Sequence, residues 1–441
     1  MRRSPWRFLW ISPDIRNRLL FTALILVIYR FAAHVPVPNV NREALQGLFG
    51  QNPLFNLLDL LSGGTVANFS ILAMGVYPYI TAQIILQLLV PIIPALQRMS
   101  EEDPRQARKW MERWTFILAV PMAALNAVGQ IQLFQQFAPP GTSILRQAFG
   151  ANLSTLTMVI TMTAGTMFAI WLGNLISEFG LRNQGLSIII FSGIVARMPS
   201  NFGSILADES TRLALLAVLI IVTLGTIVAI VFVQEGRRHV PVMYPGRRMG
   251  NRMSMPVKGT LPLMVNMAGM IPLIFAQSLI TLPALLAQFF IDSQYQVLQN
   301  MALWIQATFG GGSSAYWLLY FVFVVGFTFF YTDVLFQQQN YGENLKRAGA
   351  QIPGVTRGAA TQKYLTRVLR RISLVGALFL GFIAILPFLL TLFLPTSGSN
   401  PGLLATSSAG LLIVVGVVRD VYRSIEAELK LRGYDSAVLV R

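Results

Sequence analysis

The sequence predicts an all-α polytopic membrane protein, and three observations support this fold class. Of the 441 residues, 54% are hydrophobic and 12% are charged, and the mean hydropathy is +0.59. Apolar stretches of helix length recur along the chain and alternate with loops that differ sharply in positive charge. A Gly/Pro motif in the second apolar stretch is repeated in the second half of the chain. The composition excludes a soluble globular protein.

Ten apolar stretches are predicted to span the membrane. They cover residues 19–37, 70–96, 114–137, 152–176, 185–200, 212–233, 261–287, 316–336, 373–394 and 403–419. Of the 34 Lys and Arg residues, 29 lie in the two tails and in alternate loops, and the opposite loops and span interiors hold the other five. Because positive charge is enriched in cytoplasmic loops, this distribution predicts that both termini are cytoplasmic. The formal net charge of +16 therefore marks topology first.

The stretch Ser62–Leu89 does not fit an ordinary transmembrane helix. The half-segment 57–69 carries a charged residue, an asparagine and two adjacent glycines, whereas a span needs about 20 apolar residues. The part that follows is apolar, but Gly75 and Pro78 interrupt it. A polar half-segment followed by a broken span indicates backbone that lines a cavity rather than facing lipid.

This interruption returns in the second half of the chain. The segment from Gly75 to Ile80 reads GVYPYI, and the segment from Gly269 to Ile274 reads GMIPLI. Each lies in the second span of its half, and matched Gly/Pro-interrupted spans point to a central site between two repeats. A chance match is the alternative, since Gly and Pro are common in membrane helices.

Two long basic loops, 237–258 and 337–371, follow the sixth and eighth spans. A solvated cytoplasmic face is one interpretation of each loop. Their length favours a functional role, because loops beyond about 12–15 residues are usually functional or disordered. Within the first loop, VPVMY is predicted as a strand. Arg30, inside the first span, is costly unless it faces protein or water.

Several kinds of chemistry are not expected. The sequence has no cysteine, so disulfides, thiol catalysis and cysteine metal sites are absent. With only His34 and His239, histidine-based metal sites are not expected, and we predict neither a metal nor a cofactor. We also predict that the protein is not an enzyme, since the sequence contains no P-loop or cysteine nucleophile and Ser62 has no obvious base nearby.

Six motifs, taken in order and spacing, resemble the SecY/Sec61-alpha family over nearly the whole length. They are RFAAHVPVPNV, SGG with MGVYPYITAQIILQLL, NQGLSIIIFSGIVARMP, LPLMVNMAGMIPLIFAQSL, FYTDVLFQQQNYGENLKRAGAQIPGV and LLIVVGVVRDVYRSIEAEL. The resemblance implies two inverted five-helix halves around a central pore that opens sideways between the second and seventh helices. The N-terminal half would be 1–205, with spans 1–5. The C-terminal half would be 206–441, with spans 6–10 and both basic loops.

The resemblance also implies site residues. An aliphatic pore ring would consist of Val76, Ile80, Leu186, Ile190, Ile274 and Ile413. A plug at 57–69 would include Asp59, Ser62, Gly63, Gly64, Thr65 and Asn68. Polar residues near the lateral gate would be Gln83, Asn174 and Asn266. Binding of a motor or ribosome would involve Arg237, Arg238 and Arg357.

Two positions depart from the family pattern. The family's basic residue after IPG falls on Thr356, with Arg357 one place further, and the family's lysine in the PLKVN motif is Met264. The implied partners are SecE and SecG as subunits, and the SecA ATPase and the ribosome at the cytoplasmic loops. Signal peptides and nascent polypeptides would be the transported chains, and the bilayer would be that of a bacterial plasma membrane.

The leading hypothesis is thus a passive channel for unfolded polypeptides that also releases hydrophobic segments into lipid. A secondary transporter is the alternative, because it too uses inverted repeats and broken helices. A transporter needs ion or substrate ligands at the midplane. The acidic residues in or beside spans are Asp59, Glu178, Glu235 and Asp333, and all fall in the half-segment or near span ends. This placement favours the channel.

Overall fold

A computed structural model shows a mostly helical chain. It describes residues 13–40, 65, 69–90, 92–136, 152–181, 184–206, 212–245, 248–249, 252–253, 257–291, 295–309, 313–339, 341–393 and 401–431. The helices are α1 (Pro13–Ala32), α2 (Tyr77–Leu89), α3 (Pro94–Glu102), α4 (Pro104–Gln136), α5 (Leu153–Phe179), α6 (Gly185–Leu206), α7 (Arg212–Glu235), α8 (Ile271–Ile291), α9 (Gln296–Phe309), α10 (Ser314–Gln338), α11 (Tyr341–Arg347), α12 (Ala359–Phe393) and α13 (Pro401–Leu431). The strands are β1 (Arg237–Tyr244), β2 (Arg248–Met249), β3 (Arg252–Met253) and β4 (Val257–Met264).

Each of the ten predicted spans overlaps one of these helices. Within the described ranges, four helical segments are long and apolar enough to cross a membrane by themselves: Arg105–Gln132, Leu153–Phe179, Ser314–Arg347 and Ala359–Leu390. Gly185–Ala196 and Ile220–Glu235 are shorter apolar helices. The chain is therefore a multi-pass membrane protein. Several helices run far beyond the predicted apolar stretch, since polar residues continue a helix once it leaves lipid.

In the second and seventh predicted spans the helix begins later than predicted, for the same reason in both halves. Gly75 and Gly269 have φ of +52° and +64°, in the left-handed region that glycine adopts without penalty. Each glycine lies in a turn two residues before a helix, and that helix has proline at its second position, where the missing N–H costs nothing. The Gly/Pro motif therefore starts a helix in each half, of 13 residues in α2 and 21 in α8, instead of interrupting a longer one.

The structure corrects the predicted boundaries around these two helices. Residues 71–76 are turns, and α2 ends at Leu89, so a second helix, α3, contains the end of the predicted span 70–96. Residues 261–264 belong to β4 rather than to a span. The connection between the seventh and eighth predicted spans contains α9, on which Val297, Met301 and Trp304 are exposed.

The first half is built around one apolar cluster with close helix contacts. Tyr29, Leu72, Ile170 and Ile189 are each no more than 1% exposed within it. Helix α5 approaches its neighbours through glycine: a Cβ on Gly165 would lie 1.8 Å from the carbonyl oxygen of Ile71. Small residues let membrane helices approach backbone to backbone. This contact holds the turn before α2 against α5.

Arg30 has protein partners within the first half. Its guanidinium donates to the backbone carbonyl oxygens of Ser192 and Gly193 in α6, the latter at 2.9 Å. A charge in a membrane helix is tolerated where backbone carbonyls pair with it. The expectation that Arg30 must face protein or water is confirmed.

The two basic loops form one structural unit. Strands β1 and β4 form an antiparallel hairpin, as VPVMY predicts, and Met243 exchanges two backbone hydrogen bonds with Gln351, of 2.8 and 2.9 Å. Val242 of β1, Leu345 of α11 and Leu365 of α12 share an apolar core. We call this assembly of β1, β4, α11, residues 348–358 and the first turns of α12 the loop unit. Each loop buries its apolar face against the other, while Arg238, Lys346 and Arg357 remain exposed on the outer face.

The two ends of the helical chain lie on the side of the loop unit. Arg18, near the start of α1, forms an ion pair with Glu428, near the end of α13. Glu235, two residues before β1, accepts from Arg423 of α13 at 2.6 Å. These contacts bring the start of the first span helix and the end of the last to one face of the molecule.

Candidate pore and lateral gate

Five of the six predicted ring residues meet in the apolar cluster of the first half. Val76, Ile190 and Ile413 belong to it, and Ile80 and Leu186 pack against it. Val76 directly precedes α2, which carries Ile80; Leu186 and Ile190 lie in α6, and Ile413 lies in α13. Ile413 comes from the second half, so the cluster crosses between the halves.

The sixth ring residue, Ile274, is buried in α8 at 7% exposure, without a place in that cluster. Its helix nevertheless contributes to the contact, because Met270, just before α8, packs against the core clusters of both halves. Val76, Ile190 and Ile413 are 1%, 8% and 3% exposed. The residues around the predicted ring therefore form a tightly packed aliphatic region.

Only the end of the predicted plug lies within the described residues. Asp59, Ser62, Gly63, Gly64 and Asn68 fall outside them. Thr65 is fully buried, and its hydroxyl donates to the carbonyl oxygen of Leu72 at 2.5 Å.

Backbone bonds hold the residues that follow the plug. The backbone N–H of Val37 donates to the carbonyl oxygen of Phe69 at 3.0 Å, and that of Ile71 donates to the carbonyl of Val35 at 3.0 Å. The segment after the plug is thus tied to the loop that follows α1.

The predicted gate residues have different surroundings. Gln83 lines a cavity of about 490 Å³ between α2, α3, α4 and the end of α10. Asn174 is half-buried on α5. Asn266 accepts from the backbone N–H of Gly269 at 3.0 Å and donates to the carbonyl of Gly269 at 3.1 Å. Asn266 therefore stabilises the left-handed turn that starts α8, and this local bonding was not predicted.

The contact between α2 and the second half is an apolar seam. Its buried members are Ile84 of α2, Ala268 before α8, Phe275 of α8 and Tyr331 of α10, and we call these four the gate cluster. Phe275 stacks on Phe327 with ring centroids 5.5 Å apart. Ring contacts of this kind are worth about 0.5–1.5 kcal/mol each beyond buried area.

A polar contact lies next to this cluster. The side chain of Gln87 in α2 lies close to the side chain of Tyr331 in α10. Sequence reasoning identified Gln83 but missed Gln87, which lies one turn further on the same helix face in the motif ITAQIILQLL. That repeat at i and i+4 was the available signal, whereas nothing in the sequence indicated Phe275 or Tyr331.

The three predicted basic residues are not equivalent. Arg237 donates to Glu235 at 3.2 Å, and Glu235 also pairs with Arg423, so the charge of Arg237 is partly compensated. Arg238 and Arg357 are exposed on the loop unit. Met264 lies opposite Arg237 in the β1–β4 register. Because like charges opposite each other destabilise a strand pair, a methionine suits this position better than a lysine would.

Two of the acidic residues beside the predicted spans form ion pairs. Asp333 of α10 accepts from Arg370 of α12 at 2.7 Å, and Glu235 is paired as described. The described part of the chain brings together no group of three His, Asp or Glu side chains that could hold a metal ion. These contacts give no support to the ion-coupled transporter.

Five of the six predicted ring residues pack on one aliphatic cluster, beside an apolar seam between α2 and the helices α8 and α10, and this arrangement fits a membrane channel. The sequence profile of the SecY family matches residues 70–422, which is most of the chain. The chain belongs to the SecY family. It is a protein-conducting channel, and the transporter alternative is not favoured.

Full-length relatives and solved structures agree with this assignment. The chain is 37% identical over 431 residues to "Protein translocase subunit SecY" of Aquifex aeolicus (strain VF5), covering 96% of this chain and 97% of the relative. It is 37% identical over 437 residues to the protein of that name in Streptomyces scabiei, with the same coverage.

Among solved structures, "The structure of a protein conducting channel" has a TM-score of 0.61 at 17% identity. "Sec61 in the Canine ribosome-channel complex from the endoplasmic reticulum" has a TM-score of 0.59 at 17% identity. In both comparisons the match covers 97% of this chain and 97% of the solved chain. At this identity they show that the fold is shared.

Proposed function

We propose that this channel moves unfolded polypeptides across a bacterial plasma membrane and releases hydrophobic segments sideways between α2 and the pair α8–α10. Ten spans in two inverted halves, with both termini cytoplasmic, are part of the proposal. The left-handed glycine that precedes both α2 and α8, and the ion pair between Arg18 of α1 and Glu428 of α13, support it.

The gate cluster is the observation that carries lateral release. It holds the halves together largely by apolar contacts, and lipid tails and hydrophobic peptide segments offer contacts of the same kind. Exchanging one apolar partner for another costs little, so the seam opens to a hydrophobic segment more readily than to water.

Linking the seam covalently should abolish lateral release. Because the sequence has no cysteine, Ile84→Cys with Phe275→Cys can be introduced without further changes and joined by a bifunctional maleimide. Membrane insertion of a protein with one hydrophobic segment should fall to background, because α2 can no longer separate from α8. Insertion into reconstituted vesicles, followed by protease protection, measures this.

A second pair tests whether any link to α2 has the same effect. The rings of Tyr79 in α2 and Phe116 in α4 lie 5.5 Å apart within the first half. Tyr79→Cys with Phe116→Cys, linked by the same reagent, should leave insertion near wild type. Equal insertion through the linked Ile84–Phe275 channel and the unlinked one would disprove release at this seam.

We propose that the loop unit docks the energy source, which is the SecA ATPase or the ribosome. The exposed Arg238 and Arg357 support this, as does the name of the Sec61 neighbour, which describes a ribosome-channel complex. Replacing both Arg238 and Arg357 by Glu should weaken ribosome binding at low salt. The difference in affinity from wild type should become smaller at high salt, because each cation that pairs with a phosphate contributes to the salt dependence of binding.

Cosedimentation of ribosomes with channel vesicles over a salt series measures this effect. Arg105→Glu with Arg113→Glu on α4 is the matched control, with the same charge change outside the loop unit. If the control lost ribosome binding and the loop-unit variant kept it, the ribosome would dock at α4 and not at the loop unit.

We propose SecE and SecG as further subunits, supported by the word "subunit" in the relatives' names. An apolar groove of about 530 Å³ lies between α1, α6 and α13 and is lined by Leu26, Ile188, Phe191, Val418 and Ile425. A single membrane-spanning helix fits this chemistry. Val418→Trp, which fills the groove, should reduce the amount of the subunit bound there, SecE or SecG, that copurifies with the chain. Unchanged copurification would place that subunit elsewhere.

The plug proposal is tested separately. A cysteine at Thr65, reacted with a membrane-impermeant maleimide from the outer side, should label faster during active transport than at rest, since Thr65 is fully buried in this state. Equal labelling rates in both states would contradict plug displacement.

A further inference from the structure

Helix α9 is too short to cross the membrane, and the functions proposed above do not use it. Its 14 residues make a helix about 21 Å long, whereas the hydrocarbon core of a bilayer is about 30 Å thick. It connects the end of α8 to the start of α10, and the other ends of these two helices adjoin β4 and α11 of the loop unit. Helix α9 therefore lies at the ends opposite the loop unit, which the predicted topology places outside the membrane.

One side of α9 packs on the protein. The helix contacts both α8 and α10. Ala302 is 2% exposed, and Leu298 and Ile305, which share its face, are half-buried. Phe309, the last residue of α9, packs against the apolar cluster of the second half, which includes Tyr316 of α10. These contacts fix the orientation of α9 about its own axis.

A second apolar stripe on α9 is left uncovered by the described part of the chain. Val297, Met301 and Trp304 follow one another at intervals of four and three residues, so they share one face. They are 80%, 54% and 65% exposed. Polar side chains, among them Gln299 and Asn300, are exposed beyond this stripe. The apolar part of the helix circumference is therefore wider than the part that α8 and α10 cover.

The chemistry of α9 suits an apolar and uncharged surrounding. Its sequence, QVLQNMALWIQATF, contains no charged residue. A helix surface exposed to water usually carries charged or polar residues, whereas this stripe offers only apolar side chains and an indole ring. Tryptophan is enriched where a membrane meets water, because its ring is apolar and its N–H is polar.

The stripe also continues a surface that faces lipid. Phe290, in the last turn of α8, and Leu318, near the start of α10, are 48% and 67% exposed. Exposed apolar side chains on the helices of a multi-pass membrane protein contact lipid. Helix α9 is joined to both helices by short connections, so its stripe lies next to the same leaflet.

We propose that α9 lies in the interface of the outer leaflet, with Val297, Met301 and Trp304 inserted beside the lipid head groups. Interfacial helices bury an apolar face about 5–10 Å into the boundary between head groups and acyl chains. Because α9 has no cation, the contact depends on buried apolar area and not on the charge of the lipid. The inference goes beyond the channel function, and it depends on α8 and α10 crossing the membrane.

Fluorescence quenching at a single cysteine tests this contact, since the sequence has no other cysteine. Met301→Cys is labelled with an environment-sensitive fluorophore and placed in nanodiscs that hold one complete complex in phosphatidylcholine. We expect a blue-shifted emission. A lipid with a nitroxide close to its head group should quench this emission more strongly than aqueous iodide or a nitroxide at the end of the acyl chain.

Gln299→Cys is the matched control on the same helix. It is also exposed, but it lies about 200° around the helix from position 301. Its fluorophore should be quenched by iodide and only weakly by either nitroxide lipid. Equal quenching by iodide at the two positions would place the stripe in water and overturn the proposal.

Two further outcomes are decisive. Protection of the Met301→Cys fluorophore from iodide and from both nitroxide lipids would also overturn the proposal, because a protein subunit would then cover the stripe. Nanodiscs of phosphatidylglycerol should give the same quenching as those of phosphatidylcholine. Quenching by the shallow nitroxide that requires phosphatidylglycerol would contradict a contact that depends on apolar area.

Discussion

A channel in which Ile80, Ile190 and Ile274 are all replaced by serine is expected to conduct ions at rest. These residues lie in α2, α6 and α8, and Ile190 and Ile274 are 8% and 7% exposed. A narrow aliphatic neck expels water, and a dry neck does not pass ions. Serine hydroxyls provide hydrogen-bonding partners for water at the same positions, so the neck becomes wet.

The same substitutions shift the balance between closed and open states. Each Ile→Ser change removes about 2 kcal/mol or more of apolar burial from the state that packs these side chains together. The open state loses little, because its ring side chains are already exposed. We therefore expect export of proteins with defective signal sequences as well as higher resting conductance, while normal substrates still move.

Single-channel current in planar bilayers measures the leak directly. The control is Ile221→Ser in α7, a side chain that is 69% exposed and distant in sequence from every predicted ring residue. That control should keep wild-type resting current. Resting current in the triple variant equal to that of wild type would show that these three residues do not form the seal.

Gly165→Ala is expected to be strongly destabilising, although it adds a single methyl group. The added Cβ would lie 1.8 Å from the carbonyl oxygen and 2.6 Å from the carbonyl carbon of Ile71, and these are backbone atoms that cannot rotate away. Either α5 or the turn before α2 has to move. Overpacking of this kind costs about 3 kcal/mol or more. Because that turn positions Val76, we also expect a raised resting leak.

Gly225→Ala is the matched comparison for this substitution. Gly225 lies in α7, and a Cβ there would meet no atom within 4 Å. Alanine should be neutral or stabilising by up to about 1 kcal/mol, because it favours helix over glycine. Thermal unfolding of both purified variants by tryptophan fluorescence compares them. Equal midpoints for Gly165→Ala and Gly225→Ala would contradict the close contact between α5 and Ile71.

Sequence reasoning succeeded where one physical cause dominates. Five predicted spans, 152–176, 185–200, 212–233, 316–336 and 403–419, begin within two residues of their helices, since lipid requires an apolar stretch of set length. The strand VPVMY and the matched motifs at Gly75 and Gly269 were also correctly located. Only the folded structure showed that this motif starts a helix, because φ angles of either sign are open to glycine.

The predicted ring and gate residues stay predictions, and they differ in how they pack. The aliphatic ring residues follow from motif positions, and five of the six pack on one cluster. Of the predicted gate residues, Asn266 accepts a hydrogen bond from Gly269 in the turn before α8. The buried residues of the seam are Ile84, Ala268, Phe275 and Tyr331. Apolar residues in a membrane span carry no signal that distinguishes a helix contact from a lipid contact, since both environments favour the same side chains.

The sequence by itself determined that this protein crosses a membrane repeatedly, where its basic loops lie and which family it resembles. Hydrophobicity, charge asymmetry and motif order are properties of the chain read in one dimension. Only the tertiary structure decided that the two basic loops share one core, that Glu235 compensates Arg237, and that α2 closes on α8 and α10 through an apolar seam. Contacts between residues far apart in the chain depend on how the helices pack, and packing is a property of the folded molecule.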